Sequence, residues 1–237
     1  MGYTRDENSL FLCGRLAEGL VAEHEAYGET LYVGAMDVMR LSGTVDTLPI
    51  TVPGRIMQDV SPGDYIELRG QLRSYNRHYE NGSRLLIRAF ARDMAIKTEP
   101  VCCANSVVLT GSICRPTVFR VTPFCREITD ILLAVNRDYK KADYIPCIAW
   151  GSAAHIAAGL SVGARIRIEG RLQSRSYTKT ENGVSEVRTA YELSCTHLVQ
   201  LSRGRSQSVN TQGKCRTNHG FPKDKMTNGE ILCQWTG

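Results

Sequence analysis

No apolar run approaches the ~20 residues that a membrane-crossing helix requires, so no helical span and no membrane partner are expected. The opening residues Met1 to Asn8 are polar and acidic, which leaves no secretory signal and predicts a cytoplasmic chain. A glycine-rich phosphate loop, a nucleophile elbow and a paired-carboxylate signature are all lacking. The five histidines (24, 78, 155, 197 and 219) are scattered, and the chain is read as a non-enzyme. There is no CxxC pair, and Cys215, His219 and Cys233 are too sparse for a metal centre, so neither metal nor cofactor is implied. Aromatic residues make up only 7%, so the places where they cluster carry weight.

Cysteine, by contrast, is plentiful. Nine of them, an odd number with no regular spacing, predict reduced and mostly buried thiols rather than disulfides. The net charge of +5 is unevenly spread. Residues 1–100 hold 11 basic and 14 acidic side chains, residues 101–200 hold 12 and 8, and residues 201–237 hold 6 and 2. A polyanion would be drawn to the second half and the tail.

The chain repeats itself. Asn8-Ser9-Leu10-Phe11-Leu12-Cys13-Gly14 matches Asn105-Ser106-Val107-Val108-Leu109-Thr110-Gly111 at a spacing of 97. Gly63 to Leu72 matches Gly163 to Leu172 at a spacing of 100, and Glu80-Asn81-Gly82 matches Glu181-Asn182-Gly183 at 101. Small changes of spacing at loops are what two diverged copies of one domain produce. Ile166, Ile168 and Leu172 alternate with Arg165, Arg167, Glu169 and Arg171, the period of a half-buried strand. Ile66, Leu68 and Leu72 repeat that phase, and the Asn-Gly pairs mark hairpins.

Each copy therefore predicts five strands: 8–16, 29–38, 46–53, 64–75 and 84–96, then 105–113, 127–136, 143–150, 164–177 and 186–199. A short helix is expected between strands 3 and 4 of each copy, at 54–59 and 152–159. The fold class is all-β, two tandem five-stranded oligonucleotide-binding barrels. Domain boundaries fall at 1–98 and 103–201, with a flexible basic tail over 202–237.

Strand 3 separates the copies chemically. Leu48, Ile50 and Val52 align with Ile145, Cys147 and Ala149 as the interior face. On the other face Thr47, Pro49, Thr51 and Pro53 align with Tyr144, Pro146, Ile148 and Trp150. Outward aromatics suit base stacking, worth roughly 1–3 kcal/mol per base; they also suit packing against another domain. The strand 4–5 hairpin adds Arg171, Arg175, Tyr177, Lys179 and Arg188. Arg115, Arg120 and Arg126, with Phe119 and Phe124, occupy the loop after strand 1 and the start of strand 2, where either Phe suits a groove rim or a core cap. Arg137 and Lys140 belong to a charged loop that suits a phosphate backbone.

Arg120-Val121-Thr122-Pro123, Leu133-Ala134-Val135-Asn136-Arg137, Asp143 to Gly151 and Ile168 to Tyr177 occur in order and closely resemble the bacterial single-stranded DNA-binding protein family. The resemblance covers about residues 103–200; the first copy shares it only through the repeat. It implies an oligonucleotide-binding fold that wraps single-stranded DNA with little sequence preference, in replication, recombination or repair at the nucleoid. Its stacking positions fall on Tyr144, Trp150 and Tyr177. It also implies units of four barrels, which a two-barrel chain reaches as a homodimer. The last ten residues, Asn228 to Gly237, hold a single acid and no acidic tip of the kind that recruits replication and repair partners. A protein-assembly module and an RNA-binding barrel are the alternatives that the same faces permit.

Overall fold

Ile66, Leu68 and Leu72, and at the same phase Ile166, Ile168 and Leu172, are fully buried, as a period of two with one face inward requires. The computed structural model describes residues 6–26, 28–79, 82–98, 104–138, 141–181 and 184–201. The linker segment 99–103, both Asn-Gly turns in part or whole, and the tail beyond Leu201 lie outside the described residues.

The first half contains β1 (Asn8–Ala26), β2 (Glu29–Met39), β3 (Val45–Pro53), β4 (Tyr65–Tyr79) and β5 (Gly82–Lys97). Their pairings run in a ring: β1 with β2, β2 with β3, β3 with β5 in parallel, β5 with β4, and β4 back to β1. The second half contains β6 (Ala104–Ile113), β7 (Val118–Val121), β8 (Glu127–Asn136), β9 (Ala142–Trp150), α1 (Ser152–Ala158), β10 (Arg165–Glu181) and β11 (Val184–Gln200). Here β6, β8, β9, β11 and β10 close a five-stranded barrel with α1 between its third and fourth strands. Ring and barrel are joined edge to edge, because β1 pairs antiparallel with β6 from Asn8 opposite Leu109 to Cys13 opposite Ala104.

Both long hairpins carry the same bulge. The β4–β5 register slips between Arg69 and Gly70, and the β10–β11 register slips between Glu169 and Gly170. A Cβ at Gly70 would sit 2.0 Å from the Phe90 carbonyl oxygen, and one at Gly170 would sit 2.1 Å from that of Ser194. Only glycine admits this crossing, which coils the strand enough to close a small circuit.

Two expectations fail. The helix expected at 54–59 is a single 3-10 turn, Gly54–Ile56. Arg55 N donates to Glu29 Oε1 at 2.8 Å, and Met57 is already extended, so the chain leaves the turn at once. In α1 the alanines of Ser152–Ala158 favour helix, where the first copy has Gly54 and β-branched Ile56. The segment expected to be a loop after β6 contains a strand, β7, paired with β8 from Val118 opposite Asp130 to Val121 opposite Glu127. Val21 faces Val33 at the same spacing of 97, so β7 is the counterpart of the far end of the 19-residue β1. Pro116, which lacks an N–H, falls in the gap that splits the second copy.

Five cysteines are described, none of them in a disulfide: Cys13, Cys147 and Cys195 are buried, Cys114 is half-buried and Cys125 is exposed. Burial pushes the Cys147 thiol well above its ordinary value and that of Cys195 up to about 11, so both are inert at neutral pH.

Candidate nucleic-acid interface

Strand register brings the predicted side chains of the second half onto one outer face. Along β10, Arg171 lies opposite Ser194, Gln173 opposite Glu192, Arg175 opposite Ala190 and Tyr177 opposite Arg188. Ser194 is level with Ile148 on β9, which lies opposite Asp130 on β8, which in turn lies opposite Val118 on β7. Tyr144 and Trp150 share the β9 face with Ile148, and Arg120 shares the β7 face with Val118. Eight predicted residues (Arg120, Tyr144, Ile148, Trp150, Arg171, Arg175, Tyr177 and Arg188) therefore meet on one sheet surface.

Their environments differ. Tyr144 is 44% exposed and open to a ligand. Trp150 is half-buried, and its indole Nε1 donates to Ser194 Oγ at 3.1 Å, which fixes the ring plane. Ile148 is only 4% exposed, which corrects the expectation that it presents a free surface. It sits on a central strand with Asp130 on one side and Ser194 on the other, so its neighbours enclose it. The Arg175 guanidinium lies 5.8 Å from the centre of the Tyr177 ring, a cation–π approach.

Charge on this face is partly compensated. Arg120 pairs with Asp130 at 2.7 Å, Arg188 with Glu186 at 2.7 Å, and Arg175 Nε lies 3.7 Å from Glu192. Arg171 is half-buried, and its Nε has no hydrogen-bond partner. A polar floor underlies the arginines: Gln173 Nε2 donates to Glu192 Oε1 at 2.9 Å, and both side chains are buried. Burial drives the Glu192 carboxyl above the usual carboxylate range, although Gln173 and Arg175 pull it down. Gln173, Glu192 and Ser194 were not anticipated as part of the site. The signal was present in the period of two, which sets Glu192 and Ser194 opposite in face to Leu193 and Cys195.

Arg137 does not join this surface. Its Nε donates to Asp143 Oδ2 at 2.6 Å, and one Nη2 reaches the Ser74 carbonyl at 3.2 Å, so the guanidinium is held at the seam with the first half. Arg115, half-buried, lies between β6 and β7, and Arg126 is exposed just before β8; both edge the face rather than line it. Phe124 is 85% exposed beside Arg126, and Phe119 lies 5.3 Å, ring to ring, from His155 of α1. Lys140 and the side chain of Lys179 lie outside the described residues.

The corresponding face of the ring carries aromatics too, on the β4–β5 hairpin rather than on β3. Gln71 lies opposite Phe90, Arg73 opposite Arg88, and Tyr75 opposite Leu86. Phe90 is half-buried under Arg73, whose guanidinium is 6.0 Å from the ring centre. Among the described residues no three His, Cys, Asp or Glu side chains converge as metal ligands. No described helix is long and apolar enough to cross a membrane.

Comparison with known proteins points the same way. Residues 104–201 match the model of the single-strand binding protein family. A Streptococcus agalactiae protein named single-stranded DNA-binding protein 3 is 30% identical over 130 residues, covering 52% of this chain and 92% of that protein. A Clostridium tetani single-stranded DNA-binding protein is 34% identical over 116 residues, covering 46% and 78%. Among solved structures, the wild-type single-stranded DNA binding protein of Thermus aquaticus superposes with a TM-score of 0.68 at 21% identity, covering 86% of this chain and 98% of that one, a likeness of fold.

Proposed function

The chain belongs to the single-strand binding protein family, and from that membership we propose a non-enzymatic protein that sequesters unwound DNA during replication, recombination or repair. It binds single-stranded DNA with little sequence preference. Bases stack on Tyr144, Trp150 and Tyr177, and phosphates meet Arg171, Arg175, Arg188 and Arg120, with Arg115, Arg126, Lys140 and Lys179 at the margins. The observation that carries this assignment is the convergence of three aromatic and four arginine side chains on one outer face of β7–β11. Ion pairs with Asp130 and Glu186 hold Arg120 and Arg188 in place on the free protein; a phosphate can share such a guanidinium or displace its carboxylate.

In the same proposal the ring and the barrel are tandem oligonucleotide-binding domains spanning 1–98 and 103–201, followed by a basic tail over 202–237. The closed order of pairings in each half supports this division. Two copies of the chain would supply four such domains, the assembly that the family resemblance implies, and the work would take place at the nucleoid in the cytoplasm.

The test is a fluorescence titration of the Trp235→Phe protein with poly-dT, with duplex DNA as control, so that Trp150 is the sole indole. Salt-sensitive quenching by the single strand alone is the expected result. An unchanged signal together with unchanged electrophoretic mobility would overturn the proposal.

A further inference from the structure

Two buried carboxylates stitch the ring to the barrel by a near-symmetric pattern. Asp143 accepts from Ser74 N at 2.6 Å, from Arg137 Nε at 2.6 Å and from Arg73 Nη1 at 3.0 Å. Asp46, its counterpart at a spacing of 97, accepts from Ser174 N at 2.7 Å and from Arg40 Nε at 2.6 Å. Arg137 also donates to the Ser74 carbonyl, and Arg40 to that of Ser174. The two serine hydroxyls break the symmetry. Ser174 Oγ donates to Asp46 Oδ1, an oxygen that its own N–H already reaches. Ser74 Oγ instead accepts from the backbone N–H of Tyr144 at 2.8 Å.

That bond falls where the barrel leaves β9 unsupported. Tyr144 pairs with Ala134 on one side, but on the other side β11 joins β9 only from Cys147 to Ala149. The N–H of Tyr144 thus points away from the ladder and is met by a side chain of the ring. We propose that Ser74 is a positioning residue for DNA binding by the barrel, fixing the backbone from which the exposed Tyr144 ring is presented. A ring already held in its bound orientation loses less freedom when a base stacks on it. This rests on the reading of Tyr144 as a base contact, and it gives the ring a direct part in the barrel's affinity.

The experiment compares Ser74→Ala with Ser174→Ala in the full chain, measuring poly-dT affinity and the urea midpoint of each. Ser74→Ala should weaken binding about three- to tenfold, the worth of one hydrogen bond, and Ser74→Thr should restore it. Ser174→Ala, whose hydroxyl bond is duplicated by a backbone bond, should leave affinity within about twofold. Equal losses from the two alanine variants, or losses that follow the urea midpoint, would overturn the proposal. In a Tyr144→Ala background the Ser74→Ala change should cost nothing further, and additive losses would likewise overturn it. Wild-type affinity in Tyr144→Ala would overturn the base-contact reading itself. Weakened binding there, with normal binding in Ser74→Ala, would remove the positioning role alone.

Discussion

Glu23 and Arg88 form an ion pair at 2.6 Å on the outer face of the ring; Arg120, at a spacing of 97 from Glu23, and Glu192, which takes the hairpin register position of Arg88, carry the opposite signs. In the ring the pair is closed: Arg88 stays charged, and its hydrogen bond holds the Glu23 carboxyl below its usual range. In the barrel the swap puts the carboxyl in the buried floor and leaves arginines above it. Arg120 turns to Asp130, Glu192 takes Gln173, and Arg175 lies between the aromatic and the acid. One circuit thus uses its charges to seal its own surface, and the other keeps a basic, aromatic layer over a buried polar floor. The same backbone supports both, so function follows from which side chain occupies each outward position.

The sharpest way to break this comparison lies at the seam. Asp143→Ala leaves Arg73, Arg137 and Ser74 N without their acceptor and should cost about 3–5 kcal/mol in urea unfolding. Asp46→Ala strands a single arginine and should cost less, so equal losses would dissolve the asymmetry between the two stitches. On the binding side, Trp150→Ala with Tyr177→Ala should weaken poly-dT binding by roughly a hundredfold or more, from about 1–3 kcal/mol per stacked base. Thr47→Ala with Arg77→Ala on the ring should change little; comparable effects from both pairs would end the idea of divided labour.

Titration offers a finer contrast. Burial raises the Glu192 carboxyl, so its contribution to stability is complete below its ordinary value of 4.5 and is lost as pH rises through the raised value. Urea denaturation should therefore show Glu192→Gln to be more stable than the parent protein at pH 7 and nearly unchanged near pH 4. Asp46 behaves oppositely. Burial raises it, but the bonds from Arg40 and Ser174 outweigh that and set it below its ordinary value of 3.8. Its contribution is present above that value and is lost as pH falls through the lowered one, and denaturation curves of Asp46→Asn between pH 2 and 5 would reveal it. The smallest effect belongs to Arg171. Its replacement by alanine should reduce the slope of log affinity against log salt by about 0.7, one phosphate contact to a single strand, and an unchanged slope would remove Arg171 from the interface.

Much of this was legible from residue order. The spacing of 97 to 101 located both halves, and the alternation at 66–72 and 166–172 fixed which side chains face inward. Tyr144, Trp150, Arg171, Arg175 and Tyr177 could be assigned to one face from period alone, because in a strand the direction of a side chain is a local property. Residues 54–59 align with the alanine-rich 152–159 yet form no α-helix, because Gly54 and the Glu29 acceptor decide the local outcome. Ile148 was misplaced for another reason: period gives direction, and exposure depends on what the adjacent strands put beside it.

Local pattern by itself determined the strands, their inward faces and the aromatic character of one outer surface, since each follows from side-chain size and polarity along a backbone of fixed period. What Arg137 does was decided only by tertiary structure. A guanidinium in a charged loop reads as a phosphate contact, yet folding sets it beside a carboxylate six residues on and a serine carbonyl 63 residues back. The support of Tyr144 by Ser74, across 70 residues, has the same origin. Such bonds form because a buried N–H or carboxylate must find a partner wherever the closed sheet places one, and sequence spacing carries no trace of that choice.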